Sequence, residues 1–261
     1  MTLYDTIGNG YNQTRRADPY ITERIYDLLA PVKDMYYLDI GCGTGNYTVA
    51  LSGRQINLTG VDPSLTMLNE ARAKSPDISW LFGTAEDIPA EKETFSGIIA
   101  TLTMHHWPDL EKALREMARV LKPGGRIVFF TSSPQQMKGY WLNHYFPRML
   151  ERSYRKMPEP SSVIIKASKS GLIHVVSENY FVTGQLCDLF LHAGKQRPEI
   201  YFDPGIRRGI STFASLGDEN EIKTGLARLR SDLDSGEFIK VQKSFDSDEG
   251  EYLFMVFKSG T

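Results

Sequence analysis

Residues 38–45, LDIGCGTG, carry the clearest chemical signature in the chain. Gly41, Gly43 and Gly45 alternate with other residues, and an acid, Asp39, stands two positions before the first of them. Glycine lets a backbone turn tightly and approach a ligand where a Cβ would collide. The turn follows a short apolar run, and in open α/β sheets ligands bind at the carboxyl ends of strands. We therefore predict a ligand site here rather than a ligand-free turn. The spacing GxGxG differs from the GxGxxG of dinucleotide enzymes, which disfavours an NAD(P) oxidoreductase.

A second acid, Asp62, ends the next apolar run in residues 60–64, GVDPS. It follows the glycine turn by about 20 residues, the distance at which such folds place a carboxylate on ribose hydroxyls. The alternative is that Asp62 only caps the following helix. Because Asp62 occurs together with the glycine turn, we favour its contact with a ribose over a capping role, and hence an adenosine-type ligand.

The elements that position these acids alternate regularly. Helical spacing is present at 20–29, 46–52, 65–73 and 109–121, and short apolar runs predict strands at 36–40, 56–61, 78–82, 97–102 and 126–131. The residues KPGG at 122–125 predict a helix stop followed by a turn. This alternation predicts an α/β fold with a mostly parallel sheet wound on both faces.

The alternation breaks after residue 131. Residues 132–160 are rich in aromatic side chains and predict helix or a lid, residues 172–176 and 251–258 predict strands, and residues 184–193 and 219–233 predict helices. We therefore expect N-terminal helices and a ligand-binding core in 1–131, a helical lid in 132–170, and the remaining helices and strands of the sheet in 171–261.

Composition narrows the function. The 261 residues have a formal net charge of −2 and no long basic run, which disfavours a nucleic-acid substrate. Two cysteines cannot form a disulfide framework, no metal-ligand cluster is visible, and no apolar stretch is long enough to span a membrane. A cytoplasmic setting without a membrane partner is the expectation.

Five segments in this order carry a family resemblance: LDIGCGTG, GVDPS, GTAEDIP at 83–89, LTMHHW at 102–107 and LREMARVLKPGGRIVF at 114–129. Together they resemble the class I S-adenosylmethionine-dependent methyltransferases of the type 11 group, which is related to quinone-biosynthesis and trans-aconitate methyltransferases. The resemblance spans residues 36–131. It implies a Rossmann-like, seven-stranded sheet, S-adenosylmethionine as methyl donor and S-adenosylhomocysteine as product.

The resemblance also implies roles for individual residues. Asp39, Gly41, Gly43 and Gly45 would surround the methionine part of the donor, and Asp62 would bind its ribose.

Residues 84–86 and the end of the fourth strand complete the implied donor site. Thr84, Ala85 and Glu86 would lie near the adenine, although the family usually has an aspartate at the position of Thr84. Thr101 would lie near the methionine end of the donor.

The N-terminal residues 4–15 resemble the segment that folds over the donor in these enzymes. Arg15 is a candidate partner for the methionine carboxylate because a guanidinium fork matches that group. Arg16 competes for this role, and a solvated surface arginine is the alternative for both.

The acceptor side is less defined. His105 is a candidate general base, since an acceptor hydroxyl or amine loses a proton as it gains a methyl group. His105 and His106 look like a pair common to the family whatever the acceptor, which favours a structural role instead. Tyr140 and Trp141 could shelter the sulfonium through cation–π contact, or simply fill the core.

These observations favour methyl transfer to a small, partly apolar acceptor, either a specialised metabolite or a carboxylic acid, by a monomer or homodimer. An RNA-modifying methyltransferase and a donor-binding protein without turnover are the alternatives. Arg197, Arg207 or Arg208 could meet an acidic acceptor or be ordinary surface residues.

Overall fold

A computed structural model of the chain describes residues 14–260, in which seven strands form one sheet. The strands are β1 Tyr36–Ile40, β2 Asn57–Asp62, β3 Ser79–Phe82, β4 Phe95–Thr101, β5 Leu121–Thr131, β6 Leu172–Tyr180 and β7 Tyr252–Ser259. Their order is β3-β2-β1-β4-β5-β7-β6. The first five strands pair in parallel, and β7 runs antiparallel between β5 and β6. The predicted doubly wound, mostly parallel seven-stranded sheet is confirmed.

Helices connect the strands and form the lid. They are α1 Pro19–Leu29, α2 Asn46–Ser52, α3 Leu65–Lys74, α4 Leu110–Val120, α5 Pro134–Lys138, α6 Leu142–Tyr145, α7 Pro147–Tyr154, α8 Pro160–Lys169, α9 Pro204–Arg208, α10 Ser211–Leu216, α11 Glu219–Ser235 and α12 Phe238–Ser244. Several begin where a polar side chain accepts from the first turn, as Asp109 does from the Lys112 N–H and Ser133 from the Gln136 N–H. These contacts satisfy N–H groups that a helix start leaves without a partner.

The central strands are apolar because helices cover both faces of the sheet. Successive residues of β4 and β5 point to opposite faces: Ile98 and Phe129 join one core with α4 and α8, whereas Ile99 and Phe130 join the other with α1 and α2. Strands covered on both faces lose the alternation of apolar and polar residues and become continuous apolar runs.

A third core holds the lid together. Helices α5 to α7 pack with α10 to α12 around fully buried rings, among them Trp141 and Phe146. Helix α8 instead packs against α4 and β6. The helical character predicted for 132–160 is therefore present, but the helices that pack against it in this core, α10 to α12, lie after residue 210.

The prediction of a helix at 184–193 was wrong, because backbone N–H groups of this segment donate to residues outside it. The Cys187 N–H donates to Asp18 Oδ2 at 2.9 Å, and the Leu189 N–H donates to the Thr14 carbonyl at 3.1 Å. A helix would direct those N–H groups to carbonyls four residues earlier. The helix-like spacing of apolar residues in this segment reflects its packing on the sheet.

Two smaller differences concern strand ends. The predicted turn at 122–125 is an irregularity within β5, where pairing with β4 shifts register and Gly124 adopts φ +74°. β6 continues to Tyr180, four residues beyond the predicted end. Within residues 14–260, no helix combines the length and the apolar character that crossing a bilayer requires.

Candidate functional site

The glycine turn after β1 is held against the end of β2. The Gly41 and Cys42 N–H groups both donate to the Val61 carbonyl, and φ is positive at Gly41, Gly43 and Gly45. Positive φ favours glycine at all three positions.

The three glycines differ in what surrounds them. A Cβ at Gly41 would overlap the Thr103 side chain, and one at Gly45 would overlap the Trp80 ring. At Gly43 a Cβ would meet no atom of residues 14–260 within 4 Å. Gly41 and Gly45 therefore serve internal packing, whereas Gly43 faces open space.

That space is a cavity along the carboxyl ends of the strands. It crosses the point between β1 and β4 at which the strand order reverses, the place where open α/β sheets bind ligands. We call the part lined by Asp39, Gly43, Asp62 and Thr101 the glycine end. We call the part lined by residues of the lid, of the segment 190–212 and of the start of β7 the distal end.

Asp62 holds the glycine turn and the start of α3 at once. Its Oδ2 accepts from the Gly43 N–H at 2.9 Å, and its Oδ1 accepts from the Ser64 N–H at 2.8 Å. The side chain also lines the cavity. The sequence posed contact with the helix start and contact with a ligand as alternatives, and the geometry allows both.

Asp39 is buried in the floor of the glycine end. Burial raises its pKa to about 7, although the hydrogen bond from Thr48 to Oδ2 (2.6 Å) opposes that rise and nearby Asp62 adds to it. Its Oδ1 and the Thr101 Oγ1 are buried without a hydrogen-bond partner among the described residues. An unsatisfied buried polar atom costs about 1–3 kcal/mol, so two such atoms on residues that line one cavity suit a ligand that supplies the partners.

Arg15 lines the cavity but is bound to an acid. Its Nε donates to Asp188 Oδ1 at 2.5 Å and its Nη2 donates to Oδ2 at 3.2 Å, while the Tyr47 hydroxyl also donates to Oδ2. Asp188 is 1% exposed. This network joins the N-terminal segment to the segment 184–193. Arg16 is exposed and donates to the Cys187 carbonyl.

Several residues implied for the donor do not line the cavity. Ala85 is buried in the core, the Thr84 N–H donates to the Asp87 carbonyl, and Glu86 Oε1 accepts from the Asp109 N–H at 3.3 Å. Gly45 is also absent from the lining. The structure thus brings Asp39, Gly41, Gly43, Asp62, Thr101 and Arg15 together and leaves Gly45 and residues 84–86 outside.

His105 and His106 lie on a short 3₁₀ turn, Met104–His106, just after β4, and both line the cavity. Burial lowers the pKa of His105 well below its ordinary 6.5, and burial with the charge of Lys156 lowers that of His106 to about 4. The two rings lie 3.9 Å apart, centroid to centroid. His105 Nδ1 finds no hydrogen-bond partner in the described part of the chain. Both imidazoles are therefore neutral near pH 7.

The distal end contains residues that the sequence did not single out. Met137 and Ser153 come from the lid, His192 from the segment mistaken for a helix, Thr212 from α10 and Tyr252 from the first residue of β7. The Ser153 and Thr212 hydroxyls lie 3.0 Å apart. These residues are separated by up to 115 positions, so no local motif could have grouped them.

Backbone strain beside the cavity is another feature without a sequence signal. Leu102, which lines the cavity directly after β4, adopts φ +53° although it is not glycine. Its N–H donates to the Phe130 carbonyl at 2.8 Å. Such conformations persist only where surrounding structure enforces them, and they concentrate at functional sites.

Other candidates lie away from the cavity. Tyr140 and Trp141 are buried in the lid core and do not line it, so their packing interpretation fits. Arg197 and Arg207 donate to backbone carbonyls, including those of Leu186 and Tyr201. The resemblance noted for residues 4–13 lies outside the described residues. Residues 14–260 contain no group of three or more side chains arranged to hold a metal ion.

Known proteins of similar sequence and structure support the observed fold and the glycine turn after β1. Residues 38–129 match the family model described as "Methyltransferase domain". An uncharacterised methyltransferase of Mycobacterium tuberculosis is 33% identical over 135 residues, 52% of this chain and 55% of that protein. The chain thus spans little more than half the length of that relative. A demethylmenaquinone methyltransferase of Oceanobacillus iheyensis is 30% identical over 174 residues, 62% of this chain and 70% of that protein.

A solved structure matches nearly the whole chain. It is a protein of Anabaena variabilis described as a candidate methyltransferase from an antibiotic biosynthesis pathway, with a TM-score of 0.83 and 32% identity over 94% of this chain and 98% of that one. The likeness therefore includes the lid and β7 as well as the glycine turn. The chain belongs to the class I S-adenosylmethionine-dependent methyltransferases.

Proposed function

We propose that the chain transfers a methyl group from S-adenosylmethionine to a small-molecule acceptor, with the donor in the glycine end and the acceptor in the distal end. One observation carries the assignment of the donor end. Among residues 14–260, Gly43 faces open space in a cavity that two acids, Asp39 and Asp62, also line and in which the buried Asp39 Oδ1 and Thr101 Oγ1 find no partner.

The residues present fit the donor. Asp62 already orients the turn, and because its carboxylate lines the cavity it can accept from ribose hydroxyls. Asp39 Oδ1 and Thr101 Oγ1 can bind the polar methionine part. We keep Thr84, Ala85 and Glu86 as the adenine neighbours that the resemblance implies, although contact would require the ligand to extend beyond the cavity.

When bound, the donor supplies an electrophilic methyl group on a sulfonium sulfur. The protein then has to hold an acceptor atom in line with that methyl group and exclude water, which can supply much of the rate acceleration. The buried walls of the distal end, including Met137, Leu191 and Ile210, support this exclusion.

His105 is the candidate to meet the acceptor proton. Its neutral Nδ1 can accept a hydrogen bond from an acceptor O–H or N–H. Because its pKa lies well below 6.5, it is a weak base near neutrality. We therefore assign it to orienting the proton rather than to removing it from a weakly acidic group.

The relatives support a small organic acceptor, since one is named for a demethylated menaquinone and another for an antibiotic pathway. Arg15, the cation that lines the cavity among residues 14–260, is bound to Asp188. That arrangement does not favour the RNA-modifying alternative, which needs a basic surface.

Calorimetric titration with S-adenosylhomocysteine tests the donor site with a matched pair of variants. Gly43 and Gly236 both have positive φ and room for a Cβ, but Gly236 ends α11, away from the cavity. Gly43→Ala and Gly236→Ala should therefore lose similar stability, about 1–2 kcal/mol. Only Gly43→Ala should weaken binding, by about 100-fold, because its methyl group occupies donor space. Equal binding by both variants, or tighter binding of NADH by the unaltered protein, would refute the site.

Turnover is tested separately. We expect label from methyl-labelled S-adenosylmethionine to enter a compound of a small-metabolite extract with the unaltered protein and not with Gly43→Ala. Donor binding without incorporation into metabolites or RNA would establish the non-catalytic alternative, and label in RNA alone would establish the RNA-modifying one.

A further inference from the structure

His192 is a buried imidazole on the wall of the distal end. It is 0% exposed, and its ring packs against those of Tyr140 and Tyr252, with centroid distances of 4.2 Å and 5.0 Å. Neither Nδ1 nor Nε2 makes a well-aligned hydrogen bond to any residue in the described range. Burial lowers its pKa to about 3, and a hydrogen-bonding interaction with the Glu251 backbone only partly opposes that shift. The ring is therefore neutral, with one N–H to donate and one nitrogen to accept.

Tyr252 adds a second neutral group beside it. Its hydroxyl oxygen accepts from the His192 backbone N–H at 3.3 Å. Burial raises the pKa of Tyr252 well above 10, so the phenol keeps its proton. Both residues line the cavity. A donor and an acceptor thus stand together on one wall.

The position of this pair places it away from the donor. Tyr252 begins β7, which lies four strands from β2 and its Asp62 in the sheet order. At about 4.8 Å per strand, that separation is roughly 19 Å. Asp62 marks the ribose end of the proposed donor site, so His192 and Tyr252 belong to the acceptor's part of the cavity.

Two cations near this end are bound to acids, whereas the charge of Lys156 acts on His105 and His106 at the same cavity. Lys195 Nζ lies 2.6 Å from Glu251 Oε1, and Arg15 is bound to Asp188. The other polar groups at this end among residues 14–260 include the uncharged Ser153 and Thr212. Because His192 and Tyr252 are themselves uncharged, an anionic group bound by them would be desolvated with no counter-charge from either residue, which is costly.

From this geometry we infer that His192 and Tyr252 form a recognition subsite for an uncharged hydroxyl or carbonyl group of the acceptor and bind it in preference to a carboxylate. The inference rests on the proposed function for the identity of the cavity. A hydroxyl group is the best match, because it can accept from one member of the pair and donate to the other. His192 is thus a specificity-determining residue, distinct from His105 beside the donor.

A substitution separates this role from a packing role. His192→Phe keeps an aromatic ring against Tyr140 and Tyr252 and removes the two ring nitrogens, which lack a well-aligned partner among residues 14–260. Replacing buried unsatisfied groups with apolar atoms of similar shape is neutral or stabilising. The variant should therefore melt at the same or a higher temperature than the unaltered protein while losing acceptor recognition.

Nitrogen NMR of the imidazoles is a direct readout, because the chain has only five histidines to assign. Protein saturated with S-adenosylhomocysteine is titrated with phenol and 2-naphthol, and in parallel with benzoate and 2-naphthoate. We expect the hydroxyl probes to shift the ring nitrogens of His192 and to bind at least tenfold more tightly than the carboxylates. His192→Phe should weaken the hydroxyl probes about tenfold, as expected for one or two lost hydrogen bonds.

The outcomes distinguish this subsite from the donor assignment. Failure of S-adenosylhomocysteine to bind would refute the proposed function itself. Normal donor binding with carboxylates equal to or tighter than the hydroxyl probes, or with His192 unshifted by every probe, would refute the subsite alone. A lower melting temperature of His192→Phe with unchanged probe affinity would show a packing role. Tyr252→Phe, which removes one hydroxyl, provides a second variant with the same expected loss for the hydroxyl probes.

Discussion

The two ends of the cavity are built in different ways. The glycine end comes from short stretches at the ends of β1, β2 and β4, and it carries two carboxylates, Asp39 and Asp62. The distal end is assembled from the lid, the segment 190–212 and the start of β7, and its polar side chains are neutral hydroxyls and imidazoles.

This difference follows from what each end has to bind. One donor serves many chemistries, so a family can keep one glycine turn and change the walls opposite it. Loops and lids on a rigid sheet are where such variation is tolerated. On the proposed function, the glycine end is what the family shares, and the distal end is expected to determine what this member methylates.

The largest effect is expected when Asp62 is replaced by alanine. Two ribose hydroxyl contacts to a carboxylate would be lost, at about 1.5–3 kcal/mol each, so S-adenosylhomocysteine affinity should fall at least about 100-fold. Ser64→Ala is the control, because it removes the cap that accepts from the Met67 N–H at the start of α3 but leaves the cavity lining intact. Calorimetry should show near-normal binding for Ser64→Ala. A similar loss in both variants would mean that Asp62 acts only through the helix start.

The next largest effect is expected at the junction of the two ends, where Arg15 is paired with Asp188. Asp188→Asn should lower the free energy of unfolding by about 3 kcal/mol, because Arg15 would keep a largely buried charge without its acid. Arg16→Gln is the control, since Arg16 is exposed and should change stability by less than about 0.5 kcal/mol. Urea unfolding measures both. A loss below about 1 kcal/mol for Asp188→Asn would show that the pair behaves like a solvated surface ion pair.

The sequence predicted the glycine end far better than the distal end. The acids and glycines there are neighbours in the chain, and alternating apolar runs and helical spacing predicted the sheet around them. The prediction of a helix at 184–193 was wrong because the backbone of that segment bonds to Asp18 and Thr14. That error hid His192, and partners as distant as Met137 and Tyr252 meet it only through the tertiary fold. Arg15, predicted to contact the donor, does line the cavity. Its bond to Asp188 was not predicted, because Asp188 belongs to the same misassigned segment.

Acid sensitivity should arise from the buried histidines, of which His192 lies at the distal end. The folded pKa of His192 is about 3, below the unfolded value near 6.5, so below pH 6.5 only the unfolded chain takes up that proton. Stability is therefore lost as pH falls, by about 2 kcal/mol per such histidine between pH 7 and pH 5. His192→Phe should reduce the loss by that amount in urea unfolding at the two pH values, while Asp39, common to both proteins, cancels. If His192→Phe left the pH dependence unchanged, His192 would have to take up its proton in the folded protein as well over this pH range.

The smallest effect concerns one hydrogen bond at the glycine end. Thr48→Val removes the hydroxyl that donates to Asp39 Oδ2 and should cost about 1 kcal/mol of stability. Burial holds the pKa of Asp39 at about 7, and losing the Thr48 bond should raise it further. If ionised Asp39 contributes to donor binding, S-adenosylhomocysteine affinity rises through pH 7 in the unaltered protein, and its midpoint moves upward in Thr48→Val but not in Thr48→Ser. Carboxyl ¹³C NMR of Asp39 follows the same titration directly. An affinity profile that is flat with pH while Asp39 titrates would separate the charge of Asp39 from donor binding, leaving Asp62 as the acid on which the glycine end depends.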